Sequence, residues 1–222
     1  SIFRKLHHSM TLTVAINIDD YIILTGDHRL TIECEPFTGL PTRTVVDDYK
    51  KIKYWKYGAI TVSGDVLLMY YFHEVLEFYA KQNNWDFLQV AQVARAMYLN
   101  DDKPEQHATG TAFFSLFTLG KVEIIHLSIK KNYIEYETIK PMHAHFSLFE
   151  GTPDDPIYQL FVNSLRKIDS FLNFEDFYNY HTELLRFFYT RQKRIDDSIT
   201  SSFDLFIQNT KTGQGFMQTI EN

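Results

Sequence analysis

The chain has 222 residues, 45% of them hydrophobic and 16% aromatic, enough to bury the core of one domain or of two small ones. Its formal net charge of −6 gives no electrostatic footprint for nucleic acid, and no apolar run approaches the roughly 20 residues that span a bilayer. The single cysteine, Cys34, excludes an internal disulfide, and the opening SIFRKLHHSM is too short and polar for a secretory signal, so a reducing, cytoplasmic location is expected.

In chain order, residues 11–18 (TLTVAINI) and 21–25 (YIILT) are β-branched runs separated by Asp19-Asp20, a two-residue hairpin turn. Residues 31–47 hold Pro36, Gly39 and Pro41 and read as a loop. KIKYW and AITVSG form a second strand pair across Tyr57-Gly58. From Asp65 to Gln82, and again from Trp85 to Leu99, apolar residues recur at helical spacing. Strands return as TAFFSLFTL, KVEIIHLSI, YIEYETI and HAHFSLF. Two helices follow, at Ile157–Phe171 and Phe174–Ile195, and the chain closes with strands SFDLFIQNT and GFMQTI. Strand blocks separated by helix pairs argue against alternating βαβ units. They predict one α+β domain, residues 11–222, behind a short extension, residues 1–10.

The common chemical signatures are missing. There is no phosphate-binding glycine loop, GxSxG, HExxH or CxxC, and no cofactor is expected. His143 and His145 are spaced i,i+2 and share a strand face. No nearby carboxylate run completes a metal set there, so none is assigned.

The opening stretch carries a resemblance. Thr11 begins a short strand that leads through a hairpin to Gly26-Asp27-His28-Arg29-Leu30-Thr31, with Asp27 following Thr11 by 16 positions. This resembles the start of proteasome β-subunits and of the bacterial proteasome-like peptidase that works with an unfoldase, members of the N-terminal nucleophile (Ntn) hydrolases. Lys50-Lys51-Ile52 resembles that family's Lys-Lys-Val/Ile strand, Val62-Ser63-Gly64-Asp65 its small-Gly segment before the first long helix, and Asp197-Ser198-Ile199-Thr200-Ser201-Ser202 its Asp-x-x-Ser-Gly-Gly element. The resemblance runs from Thr11 almost to the C-terminus. It implies a four-layer αββα sandwich of two antiparallel sheets flanked by helix pairs.

It also implies roles. Thr11, as an N-terminal residue, would be nucleophile and base together, its α-amino group (reference pKa about 7.7–8.0) taking the hydroxyl proton. Lys51 would reach Thr11 and keep a base available near neutrality, Asp27 would orient Lys51, and Asp197 and Thr200 would surround the amine. Gly64 would offer a backbone N–H to the substrate carbonyl. Leu30, Thr31, Tyr49, Lys53 and Val62 would shape a pocket for apolar or acidic side chains. Taken singly, each residue has a plainer reading: Thr11 a strand starter, Asp27 a turn residue, Lys51 a surface charge and Gly64 a helix-entry glycine.

The chain also departs from the family. The connection over residues 28–50 is longer than usual, Phe149-Glu150-Gly151 stands where the family has Gly-Ser-Gly, and Ser201-Ser202 replace Gly-Gly. Thr11 follows Met10, so its nitrogen here is an amide and cannot act as the base. The expectation is therefore a threonine-type peptidase or amidohydrolase in unprocessed form, or else a catalytically inactive proteasome-like scaffold. Clustered aromatics at Tyr70, Tyr71, Phe72, Phe78 and Tyr79, together with the resemblance, predict self-association, ring-like in form. A peptide or protein substrate and an unfoldase partner go with the first reading.

Overall fold

The computed structural model describes residues 11–34, 42–147 and 154–222. The extension of residues 1–10, the segment around Pro36, Gly39 and Pro41, and Phe149-Glu150-Gly151 lie outside the described residues.

Two antiparallel five-stranded sheets face each other. The first begins with β1 (Thr13–Asn17) and β2 (Tyr21–Asp27), joined by a tight turn in which Asp19 takes φ 65° and Ile18 N–H donates to the Tyr21 carbonyl at 2.8 Å. Asp tolerates that left-handed conformation because its short side chain bonds locally. β10 (His143–Ser147), β11 (Phe203–Asn209) and β12 (Gly215–Ile220) complete the order β10-β1-β2-β11-β12. The second sheet runs β5-β6-β7-β8-β9, with β5 Ile52–Trp55, β6 Gly58–Gly64, β7 Gly110–Thr118, β8 Lys121–Ile129 and β9 Ile134–Thr138.

Helices cover both outer faces. α1 (Val66–Lys81) and α2 (Phe87–Asn100) pack on the second sheet through Leu68, Phe72, Ala91 and Phe114. α3 (Pro156–Asn163) and α4 (Phe174–Ile195) pack on the first through Phe161, Leu185, Phe188 and Tyr189. Ala15, Ile22, Leu24, Phe113, Ile124 and Phe206 fill the space between the sheets. The layers are thus helix, sheet, sheet, helix. Each sheet is covered on both faces, which is why the strands read as near-continuous apolar runs and not as strict alternation. Each of α1 to α4 starts on a side-chain cap: Asp65, Asp86, Asp155 and Asn173 each accept from backbone N–H groups of the first turn.

Two sequence expectations change. Residues 31–47 are not simply a loop: β3 (Leu30–Cys34) and β4 (Thr42–Val46) pair as a two-stranded ribbon. The Pro and Gly residues cluster between the strands, while the Thr- and Val-rich flanks carry the β signal. The helix expected over Ile157–Phe171 ends at Asn163, because Ser164 Oγ (2.7 Å to the Leu160 carbonyl) and Arg166 (2.7 Å to the Asn163 carbonyl) take up its last carbonyls. A single 3₁₀ turn follows at Ile168–Ser170. Of the clustered aromatics on α1, Phe72 is core, whereas Tyr70 and Phe78 are exposed. No helix among the described residues is long and apolar enough to cross a membrane.

Candidate active site

The start of β1 and the end of β2 are tied together beside Thr11. Asp27 N–H donates to the Leu12 carbonyl at 3.1 Å, and Leu12 N–H donates to Asp27 Oδ1 at 3.0 Å. Thr11, one residue upstream, is buried. The second oxygen of Asp27 accepts from Arg29 N–H at 3.0 Å and Thr200 N–H at 3.3 Å. The Lys51 ammonium completes the set with a short, fully buried ion pair to Asp27 Oδ1.

Lys51 can reach across because Gly26 leaves room: a Cβ at position 26 would lie 3.1 Å from Lys51 Cβ. Burial pushes the Lys51 ammonium below the ordinary lysine value, and the Asp27 carboxylate opposes that push without cancelling it. A lysine held this way is a weaker acid-base mismatch for chemistry near neutrality than a solvated one.

Thr200 is anchored from several directions. Its hydroxyl accepts from His28 N–H at 2.8 Å and donates to the Ser202 carbonyl at 2.9 Å. His28 in turn sets Nδ1 at 2.9 Å from Ser202 Oγ and Nε2 at 3.0 Å from Asp204 Oδ1. Asp204 also accepts from Thr219 Oγ1 at 2.7 Å and Lys50 Nζ at 3.0 Å. Burial alone would raise the Asp204 carboxyl, but His28, Thr219 and Lys50 outweigh it and hold it at about 2.

Asp197 sits differently from the sequence expectation. Its carboxylate is on the surface, 2.5 Å from Lys193 Nζ, and its carbonyl accepts from Arg29 Nη1 at 2.6 Å. The buried acid of this segment is Asp196, which caps α4 in an extended conformation and accepts from Ser198 N–H at 2.9 Å. Its charge is felt at Lys51.

Gly64 ends β6 at φ +117°, and a Cβ there would meet Gly110 Cα at 2.5 Å. Both the backbone angle and the close β6–β7 approach require glycine. Gly64 and Lys51 line a cleft of about 310 Å³ together with Leu30, Tyr49, Lys53 and Val62, closed on one side by Met69 and Tyr70 of α1. Thr31 is buried and does not line the cleft; its hydroxyl has no hydrogen-bond partner among the described residues. Sequence reasoning did not single out His28, Asp196 or Asp204. His28 and Asp204 meet because β2 and β11 lie side by side, a pairing with no local signature, and Asp196 is placed by the turn that ends α4.

No protein-family model matches the chain, and no curated protein sequence matches it. Solved structures do. A Gly-1 mutant of Anbu from Hyphomicrobium sp. strain MC1 superposes with a TM-score of 0.64 at 11% identity, over 95% of this chain and 88% of that one. A second structure of Anbu from the same strain gives 0.60 at 12% identity, over 95% and 87%. At such identities the likeness establishes the fold alone, a proteasome-like αββα sandwich.

Proposed function

We propose that this chain is a proteasome-like threonine hydrolase, a peptidase or amidase whose nucleophile is Thr11 once that residue is amino-terminal. The observation that carries the reading is the buried Lys51–Asp27 pair, bonded directly to the backbone of the residue after Thr11 and opening onto a cleft. A buried ion pair of this kind costs desolvation and is a poor source of stability, so its placement beside a threonine favours chemistry over scaffolding.

In this mechanism the free α-amino group of Thr11 takes the proton from its own hydroxyl as Oγ1 attacks the substrate carbonyl. Lys51 supplies positive charge next to the developing alkoxide, and Asp27 fixes the lysine in place. The Gly64 backbone N–H faces the carbonyl oxygen. Thr200 positions Asp27 through its backbone N–H, and Asp196 takes the part that the resemblance implies for Asp197. The substrate side chain enters the cleft of Leu30, Tyr49, Lys53 and Val62, where Lys53 adds a preference for acidic groups to an apolar wall. Self-association, ring-like in form, would use the exposed Tyr70 and Phe78 of α1.

A second reading is an inactive scaffold of the same fold. It is favoured by the Met10–Thr11 peptide bond, which leaves Thr11 without a basic amine. Fluorogenic peptide turnover separates the two. A protein translated from Met10, with that methionine removed, should turn over peptides. Thr11→Ala should lower turnover by at least roughly 10³-fold, with Thr11→Ser retaining part of it. No turnover by folded protein with Thr11 at its terminus supports the scaffold.

A further inference from the structure

A second group of ligating side chains converges on the far edge of the sandwich. His126 on β8 and Glu137 on β9 are direct cross-strand partners, so their side chains share one face. His145 comes from β10, the edge strand of the other sheet. The Nδ1 atoms of His126 and His145 are 2.8 Å apart. Glu137 Oε1 lies 3.6 Å from His145 Nδ1 and 4.0 Å from His126 Nδ1. The point equidistant from these three atoms in their own plane is about 2.1 Å from each, a zinc–imidazole or zinc–carboxylate bond length, and side-chain shifts of roughly half an ångström make the set pyramidal.

We infer that His126, His145 and Glu137 form a three-ligand site for a divalent first-row cation of the zinc class, with a further coordination position open to water. Two imidazoles and a carboxylate are a donor set that such cations take, and three protein ligands leave the shell incomplete. The outer shell is in place on His126: its Nε2 is 3.2 Å from Ser128 Oγ, so an Nε2–H can donate to that hydroxyl while the Nδ1 lone pair faces the ion. All three side chains remain partly exposed, so an ion can reach them. Loading moves one ring from its Nδ1–H to its Nε2–H form, with no net proton released. Because β8 and β9 belong to one sheet and β10 to the other, the ion would clip the sheets together at their edge. This site is independent of the hydrolase reading.

Metal-stripped protein titrated with ZnCl₂, in competition with a chromophoric chelator, should bind one ion per chain. A hundredfold excess over Kd should raise the unfolding midpoint by roughly 5–10 °C. His126→Ala and His145→Ala should each weaken binding at least about 10- to 100-fold, and Ser128→Ala about 10-fold. Glu137→Gln changes a largely exposed side chain, leaves folding alone and should weaken binding about 10-fold or more. His7 and His8 are a competing imidazole pair, so the double variant His7→Ala/His8→Ala serves as control and should bind as the parent does. Failure to take up zinc at micromolar free metal overturns the site. So does binding that survives both Glu137→Gln and the His126→Ala/His145→Ala double change, or binding that is lost with His7 and His8.

Discussion

Asp27 and Glu137 are both carboxylates at a junction of the two sheets, and their surroundings differ in kind. Asp27 is fully buried, and its two oxygens take Lys51, Leu12 N–H, Arg29 N–H and Thr200 N–H. Glu137 is largely exposed, with imidazole nitrogens 3.6 and 4.0 Å away. The first group is fixed before any ligand arrives, since a buried charge is tolerable only when its hydrogen-bonding capacity is filled. The second is neutral apart from one solvated carboxylate, so it costs little to leave open. A site meant to position a reacting group is built the first way, and a site meant to accept an ion the second.

Truncation should separate the two most sharply. Asp27→Ala leaves Lys51 buried without its counter-charge and should destabilise the protein by about 3–5 kcal/mol. Glu137→Ala in metal-free protein should stay within about 0.5 kcal/mol. Urea unfolding measures both, and equal losses would break the comparison.

Acid offers the next test. His181 on α4 is buried, with Nδ1–H on the Phe177 carbonyl at 2.8 Å and Nε2 accepting from Arg166 N–H at 3.3 Å. Burial pushes it down to about 4, with the Phe177 carbonyl pulling the other way. The unfolded chain takes up this proton near pH 6.5 and the native protein only near pH 4. Stability should therefore fall as pH drops through that window, by up to about 3 kcal/mol, and be level on either side. His181→Gln should flatten this limb.

The cluster of Asp204 with His28, Thr219 and Lys50 should hold until lower pH. Asp204 ionises at about 2 in the native protein and near 4 when unfolded, so its contribution is present above pH 4 and lost between pH 4 and 2. The loss should be on the order of 1–2 kcal/mol. Thr219→Val removes one donor and should shift this limb to higher pH. Smallest is the effect on specificity: Lys53→Glu at the cleft should move the preference between acidic and basic peptide side chains by roughly tenfold in kcat/KM.

Much of the fold was legible because both sheets are covered on both faces. Runs such as TVAIN and AFFSLF stand out as strands, and the helix starts are marked by Asp65, Asp86, Asp155 and Asn173. The β3–β4 ribbon was hidden by prolines that belong to the stretch between its strands. Within the candidate site, the resemblance named Asp27, Lys51, Gly64 and the residues Leu30, Tyr49, Lys53 and Val62; the fold pairs Asp27 with Lys51 and sets the others with Lys51 along one cleft. What was not readable depends on long-range register. Asp196 and Asp197 are adjacent in sequence, and only the backbone turn at the end of α4 decides which one is buried. Glu137 meets His145 through strands of different sheets, a pairing with no trace in the spacing of either residue.

Under the proposed function, Thr11 is a nucleophile when it is amino-terminal. Intact-mass spectrometry of protein translated from Met10, before and after exposure to a threonine-directed electrophile, is the sharpest test. The expected outcome is a chain beginning at Thr11 that gains one electrophile adduct, with peptide turnover lost in step, and no adduct on folded Thr11→Ala protein. A folded, assembled chain with Thr11 at its terminus that forms no adduct and hydrolyses no peptide would contradict it.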